Sequence, residues 1–173
     1  MKKILVVVDM QNDFINGSLG SDEAQNVVDA VSEKIKEYDV KNIYVTRDTH
    51  TEDYLNTNEG RHLPVIHCIK NSKGWQLNEK IETATEGAIV IDKTTFASVE
   101  LADLLKAENN KEALEIELVG LCTDICVISN ALLLKTFMPE VSIKVDSSCC
   151  AGVTPDSHKM ALETMKMCQI DVI

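Results

Sequence analysis

No stretch of this 173-residue sequence approaches the length of a membrane span, for which about 20 consecutive apolar residues are needed. The apolar start, MKKILVVVDMQND, stops at Asp9 with no small-residue cleavage site behind a longer core, so a buried strand is expected there, not a secretory signal. Basic charge is short: 17 Lys and Arg face 28 Asp and Glu, a net charge of −11. Such a surface repels phosphate backbones, and no Arg/Lys stripe with interleaved aromatics offsets it. Nucleic acid and membrane are therefore not expected partners, and a cytoplasmic location is. A GxGxxG turn is missing after the first apolar run, which removes support for a nucleotide cofactor. Gln11 stands where a DxD phosphatase pair would place its second acid. The six cysteines form no CxxC pair, so a disulfide framework and a structural zinc ribbon both lack a pattern.

What is present is alternation. Short Val/Ile-rich runs recur at 4–9, 41–48, 87–92, 114–120 and 141–146, with 168–173 as a last short candidate. Continuous apolar runs of this length read as parallel strands covered on both faces. Helical patterns lie between them. Residues 22–38 repeat Val27, Val28, Val31 and Ile35 behind Ser21 or Asp22 as cap, and 98–107 start at Ser98. Residues 123–137 form a mostly apolar helix with Thr123 as its expected cap, and 155–167 open on Pro155. The expectation is an α/β fold: one domain over 1–173, doubly wound, with a mainly parallel sheet and helices on both faces. The exception is 49–86, which is longer, irregular and holds three of the four histidines.

Ligands in such sheets bind outside the carboxyl ends of the strands. Asp9, Asp48, Asp92 and the 120–126 turn are expected there. Asp9 reads either as a strand-exit charge or as a base in the crevice. Lys93 follows a buried run, at the same end. It is either a solvated lysine or a cation that stabilises a carboxylate, thiolate or oxyanion. Cys126, three residues after Thr123, would sit in a first helical turn, where amides and the helix dipole favour a thiolate. The plain alternative is a buried core cysteine, and Cys122 fits that better. Together Asp9, Lys93 and Cys126 make a base, a cation and a nucleophile. Asp48 and His50, with His67 from LPVIHC, offer a carboxylate and two imidazoles that suit Zn²⁺, Fe²⁺ or Mn²⁺. Glu59 and His62 lie between them, and His158 reads as an ordinary helix residue.

Four segments in order, VVVDMQNDFINGSL (6–19), RDTH (47–50) with PVIHC (64–68), DKTTFAS (92–98) and GLCTDICV (120–127), resemble the isochorismatase-like cysteine hydrolases, the nicotinamidase branch above all. The resemblance spans essentially the whole chain. It implies a catalytic triad of Asp9, Lys93 and Cys126 and a metal site of Asp48, His50 and His67, with Glu59 the best match to an added acidic ligand. It also implies a cis peptide at Leu121–Cys122, backbone N–H groups of Cys122 and Cys126 as an oxyanion hole, and Phe14 in the substrate pocket. The expected activity is hydrolysis of a small amide, nicotinamide first, with a divalent metal (zinc before iron or manganese) and a homo-oligomeric assembly. The chain departs from the branch where Thr49 replaces a tryptophan of DWH. Asn71 and Ser72 replace the Gly-Thr of a GT-x-G stretch, while Gly74 is kept. Trp75 stands where a small residue is usual, as a candidate for the pocket wall. These departures bear on the substrate, and a ureido or carbamoyl compound is the alternative. An isochorismatase reading leaves Cys126 and the metal set without a task. A binding or regulatory module on the same fold predicts an unreactive Cys126 and no metal.

Overall fold

The computed structural model describes residues 1–173. Six strands, β1 (Lys2–Val8), β2 (Ile43–Asp48), β3 (Ile89–Lys93), β4 (Leu114–Leu121), β5 (Ser142–Ala151) and β6 (Asp171–Val172), form one sheet in the order β3-β2-β1-β4-β5-β6. Every pairing is parallel. The helices are α1 (Asn12–Ile15), α2 (Asp22–Asn26), α3 (Val28–Ile35), α4 (Asn58–His62), α5 (Glu79–Ala84), α6 (Val99–Asn109), α7 (Ile128–Phe137) and α8 (Pro155–Met167).

The period-2 side-chain pattern of β1 explains the two layers. Ile4, Val6 and Val8 face a core built with α6, α7 and α8. Leu5 and Val7 face a second core with α2, α3 and α5. Apolar contacts on both faces are what make these strands continuous Val/Ile runs. Chain order reverses direction at β1, which lies between β2 and β4, so the crevice at the carboxyl ends of β1 and β4 is the topological switch point.

Local chemistry sets the helix starts. The Ser21 hydroxyl accepts from Ala24 N–H at 3.1 Å, and Ser98 accepts from Leu101 N–H at 3.1 Å. Thr154 and Ser157 form a reciprocal capping box ahead of Pro155. Gly120, at φ +117°, lies where β4 meets β1, and a Cβ there would fall 2.2 Å from the Val8 carbonyl oxygen. Only glycine allows this approach at the sheet's functional end.

Two expectations about helices change. The pattern over 22–38 is divided at Val27 into α2 and α3. The segment from Thr123 does not begin as an α-helix: Thr123–Val127 is a π-helical turn with Cys122 at its cap position, and α7 starts only at Ile128. No side chain caps that turn, so the Thr123 cap is not formed. No helix is long and apolar enough to cross a membrane.

Candidate active site

Asp9 is the first residue beyond β1. Its φ of +48° is a left-handed conformation that aspartate tolerates better than most residues. Its backbone N–H donates to the Thr46 carbonyl at 3.1 Å, and the Thr46 hydroxyl donates to Oδ1 at 2.6 Å. The carboxylate is completely buried. Lys93 ends β3, two strands away, and neighbouring strands are separated by about 4.8 Å. Its long side chain therefore crosses the end of β2 to place Nζ 2.6 Å from Asp9 Oδ2. The same Nζ lies 3.5 Å from Asp48 Oδ1 and 3.5 Å from Cys126 Sγ. Asp9, Lys93 and Cys126 thus meet at one ammonium group.

Burial raises the Asp9 carboxyl above its ordinary value, the Asp48 charge adds to the rise, and Lys93 opposes it. Burial alone would lower Lys93, but Asp9, Cys126 and Asp48 outweigh it and hold Nζ as a firm cation. Burial pushes the Cys126 thiol well up, Asp9 pushes it further, and Lys93 only partly compensates. The expected α-helical first turn is a π-turn instead, and burial opposes a thiolate there. Cys126 lies buried in that turn beside the Asp9–Lys93 pair, and its proton must leave during the reaction. The Cys122 thiol is likewise pushed up, to about 12, by burial, with Asp124 and Asp9 adding. The Leu121–Cys122 peptide is cis.

Asp48, His50, Glu59 and His67 converge, their ligand atoms within 4.8 Å of one another. Both imidazoles aim Nε2 at the same acids. His50 lies 2.8 Å from Asp48 Oδ2 and 3.7 Å from Glu59 Oε1, and His67 lies 3.6 and 3.8 Å from those atoms. His67 Nδ1–H donates to the Val65 carbonyl at 2.8 Å, which leaves Nε2 with a lone pair for a metal. His50 Nε2 is buried and has no hydrogen bond of acceptable geometry despite its close acid. A buried imidazole nitrogen without a partner is explained by a cation at the centre of the four groups, so the residues fit a divalent metal. Against the cost of burial, His50, His67 and Lys93 hold the Asp48 carboxyl well below the carboxylate range. His62 is not part of the cluster; its Nδ1 pairs with the Asn58 carbonyl.

The two departures near the metal segment touch each other. Trp75 Nε1 donates to the Thr49 hydroxyl at 2.9 Å, and Arg47 lies 3.8 Å over the indole. The large side chain comes from the 71–77 loop and the small one from the β2 exit. Phe14, partly exposed, lies 5.6 Å from the His67 ring and tilts toward it.

Several supporting residues were not anticipated. Gln11 is fully buried: its amide donates to the Asp48 and Trp75 carbonyls at 2.8 Å each and accepts from Asp48 N–H at 2.7 Å. Tyr54 packs on both imidazoles, with centroids 4.6 Å from His50 and 4.9 Å from His67. Asn130 accepts from Ser98 N–H at 3.0 Å and donates to the Cys126 carbonyl at 2.8 Å, joining the lysine segment to the nucleophile turn. Thr46 had a visible signal, since it precedes Asp48 by two on a strand and shares its face. The other three had none beyond their residue type.

The family model for the isochorismatase domain matches residues 3–173. The chain belongs to the isochorismatase family. Among relatives of this family, an isochorismatase family protein of Bacillus subtilis is 28% identical, covering 94% of this chain and 93% of the relative. The nicotinamidase of Saccharomyces cerevisiae is 25% identical, covering 99% of each. The pyrazinamidase of Pyrococcus horikoshii, solved in complex with zinc, superposes with a TM-score of 0.80 at 27% identity, over 100% of this chain and 99% of that one.

Proposed function

We propose that this isochorismatase-family chain is an amidohydrolase that converts nicotinamide to nicotinate and ammonia through a thioester on Cys126. The carrying observation is the single Lys93 ammonium, 2.6 Å from Asp9 and 3.5 Å from Cys126 in a buried crevice. The yeast nicotinamidase and the archaeal pyrazinamidase, matched end to end, support the substrate class.

Asp9 takes the Cys126 proton as sulfur attacks the carbonyl carbon. Backbone N–H groups of Cys122 and Cys126 stabilise the oxyanion, a contribution of about 10²–10³ in rate for a typical donor. The C–N bond breaks as Asp9 returns the proton to nitrogen, and ammonia leaves. Water then gives a proton to Asp9 while its oxygen bonds to the acyl carbon. The C–S bond breaks, the sulfur regains the proton, and the acid departs. Lys93 stays cationic throughout and holds the charges of Asp9 and sulfur in place. Asp48, His50, His67 and Glu59 would hold a divalent metal, zinc before iron or manganese, which would supply a Lewis-acidic anchor for a ring nitrogen and water. Phe14 and Trp75 are assigned to the pocket side of the site. We infer further that this activity belongs to one domain of a cytoplasmic homo-oligomer serving NAD salvage, with light scattering as the test of the assembly.

The test is ammonia release from nicotinamide, pyrazinamide and simple ureido acids. Turnover of nicotinamide and pyrazinamide is expected. Robust turnover of a ureido acid with none of nicotinamide would replace the named substrate. Cys126→Ala is expected to lose at least about 10³-fold in kcat, whereas Cys122→Ala keeps most activity because only its backbone is used. Full activity in Cys126→Ala would sink the thioester.

A further inference from the structure

The Thr123 side chain is fully buried and opens the π-turn that carries Cys126. Its hydroxyl does not cap the turn. Its hydrogen-bond partner is His158 Nδ1, 2.8 Å away on α8. The neighbouring Asp124 carboxylate accepts from Val153 N–H at 3.2 and 3.1 Å, just before α8. Two consecutive residues of the turn are therefore tied to the β5–α8 junction. Gly152 makes the approach possible: a Cβ there would lie 2.9 Å from His158 Cβ and N. His158 itself is set by its place in the first turn of α8, its N–H donating to the Thr154 carbonyl at 2.9 Å.

We propose that His158 is a positioning residue for the nucleophile. It accepts the Thr123 O–H and so fixes the turn that presents Cys126 Sγ to Lys93 and Asp9. A buried hydroxyl needs a partner, and no other side chain supplies one here. Burial favours the neutral imidazole that this role needs; Asp124 opposes that effect and Lys159 reinforces it. Without His158 the Thr123 hydroxyl would turn to a backbone carbonyl of its own segment and shift the turn. Displacing a nucleophile by about 1 Å costs about 10²-fold in rate.

The inference rests on the cysteine-hydrolase reading, so the test includes a readout that needs no substrate. Cys126 alkylation by iodoacetamide is followed by peptide-resolved mass spectrometry, so that reaction at the exposed Cys168 is counted separately. His158→Leu is expected to slow that alkylation and to lower kcat about 10- to 100-fold, with KM within about twofold because the pocket and metal residues are untouched. His158→Asn, whose amide falls near the Nδ1 position, is expected to restore most of both. Thr123→Val should match His158→Leu, and the double variant should lose no more than either. If His158→Leu does not fold, the Asn and Gln variants decide, since Gln reaches past the Nδ1 position and should behave like Leu. An unchanged Cys126 alkylation rate in a folded His158→Leu, additive losses in the double variant, or equal rates for Asn and Gln would each overturn the role. A lowered melting temperature with wild-type alkylation would leave His158 merely structural and overturn it too. If no amide is hydrolysed but the alkylation pattern holds, it is the substrate assignment that fails and not the tether.

Discussion

Two lysine–carboxylate clusters lie in this sheet, and they are built to different ends. Near the amino-terminal half, Lys34 Nζ meets Glu117 at 3.2 Å, Asp146 at 3.1 Å and Glu37 at 3.5 Å. Tyr38 donates to Glu117 at 2.8 Å, and Ser148 donates to Asp146 at 2.6 Å. At the carboxyl end, Lys93 meets Asp9, Asp48 and the Cys126 sulfur. The Lys34 side chain is 17% exposed and the Lys93 side chain 1%. Around Lys34 the Tyr38 and Ser148 hydroxyls donate to the acids, although Glu117 Oε1 is buried without a hydrogen bond of its own. Around Lys93 the ammonium is almost wholly buried and a thiol stands among the charges. A cation amid acids is therefore not itself a functional signal. Full burial beside a reactive atom is what separates the two.

Replacing each lysine sharpens this contrast most. Lys93→Met is expected to lower kcat/KM by about 10²–10³, the scale for losing a preorganised charge, in an ammonia-release assay. Lys34→Met should keep turnover within a few-fold but destabilise the fold by roughly 1–3 kcal/mol in urea, because it strands Glu117 and Asp146. Equal losses of activity would erase the distinction. Next in size is the metal. His67→Asn should fall from stoichiometric to trace metal after purification, read by plasma mass spectrometry, whereas removing His62 should leave the content unchanged.

A smaller effect is one of pH. Asp9 must be ionised to take the thiol proton, and its carboxyl is raised by burial and Asp48. The rate kcat/KM should therefore fall as pH drops, with a midpoint above the ordinary aspartate value of about 3.9. A midpoint below that value would remove Asp9 as the base. The smallest effect concerns the other cluster. Against burial, Ser148 and Lys34 lower the Asp146 carboxyl below its ordinary value. A carboxyl lowered in the fold adds stability above its unfolded value, and that stability disappears as pH falls through the folded one. Asp146→Asn should thus be less stable than the parent at pH 7, and the gap in urea midpoints should close between about pH 5 and 2. A gap independent of pH would mean the loss is one of packing.

The strands were legible because burial on both faces demands continuous apolar runs, and β1, β2 and β4 lie within about two residues of where those runs stand. Asp9, Asp48 and Lys93 were legible for the same reason: charged residues that close such runs stand at the carboxyl ends of the strands. The family motifs pointed to the same residues, and the metal cluster gathers all four of the expected ligands. The π-turn was not legible. Apolar periodicity over a single turn does not separate α from π geometry, and the Thr123 hydroxyl that would have capped an α-helix is held by His158 instead. The Thr49–Trp75 contact was visible only as two unrelated departures, because 26 residues separate them.

The sequence by itself determined which groups stand at the carboxyl ends of the strands, since strand length and alternation follow from local chemistry. The tertiary structure decided how those groups act on one another. Lys93 reaches Asp9 only because β2 lies between their strands at fixed spacing. Burial disfavours a Cys126 thiolate more than a lysine 3.5 Å away favours it. His158, an ordinary residue in the chain, becomes a tether because α8 folds back onto the nucleophile turn. Protonation and positioning depend on distance and desolvation, and neither is a property of a residue's neighbours in sequence.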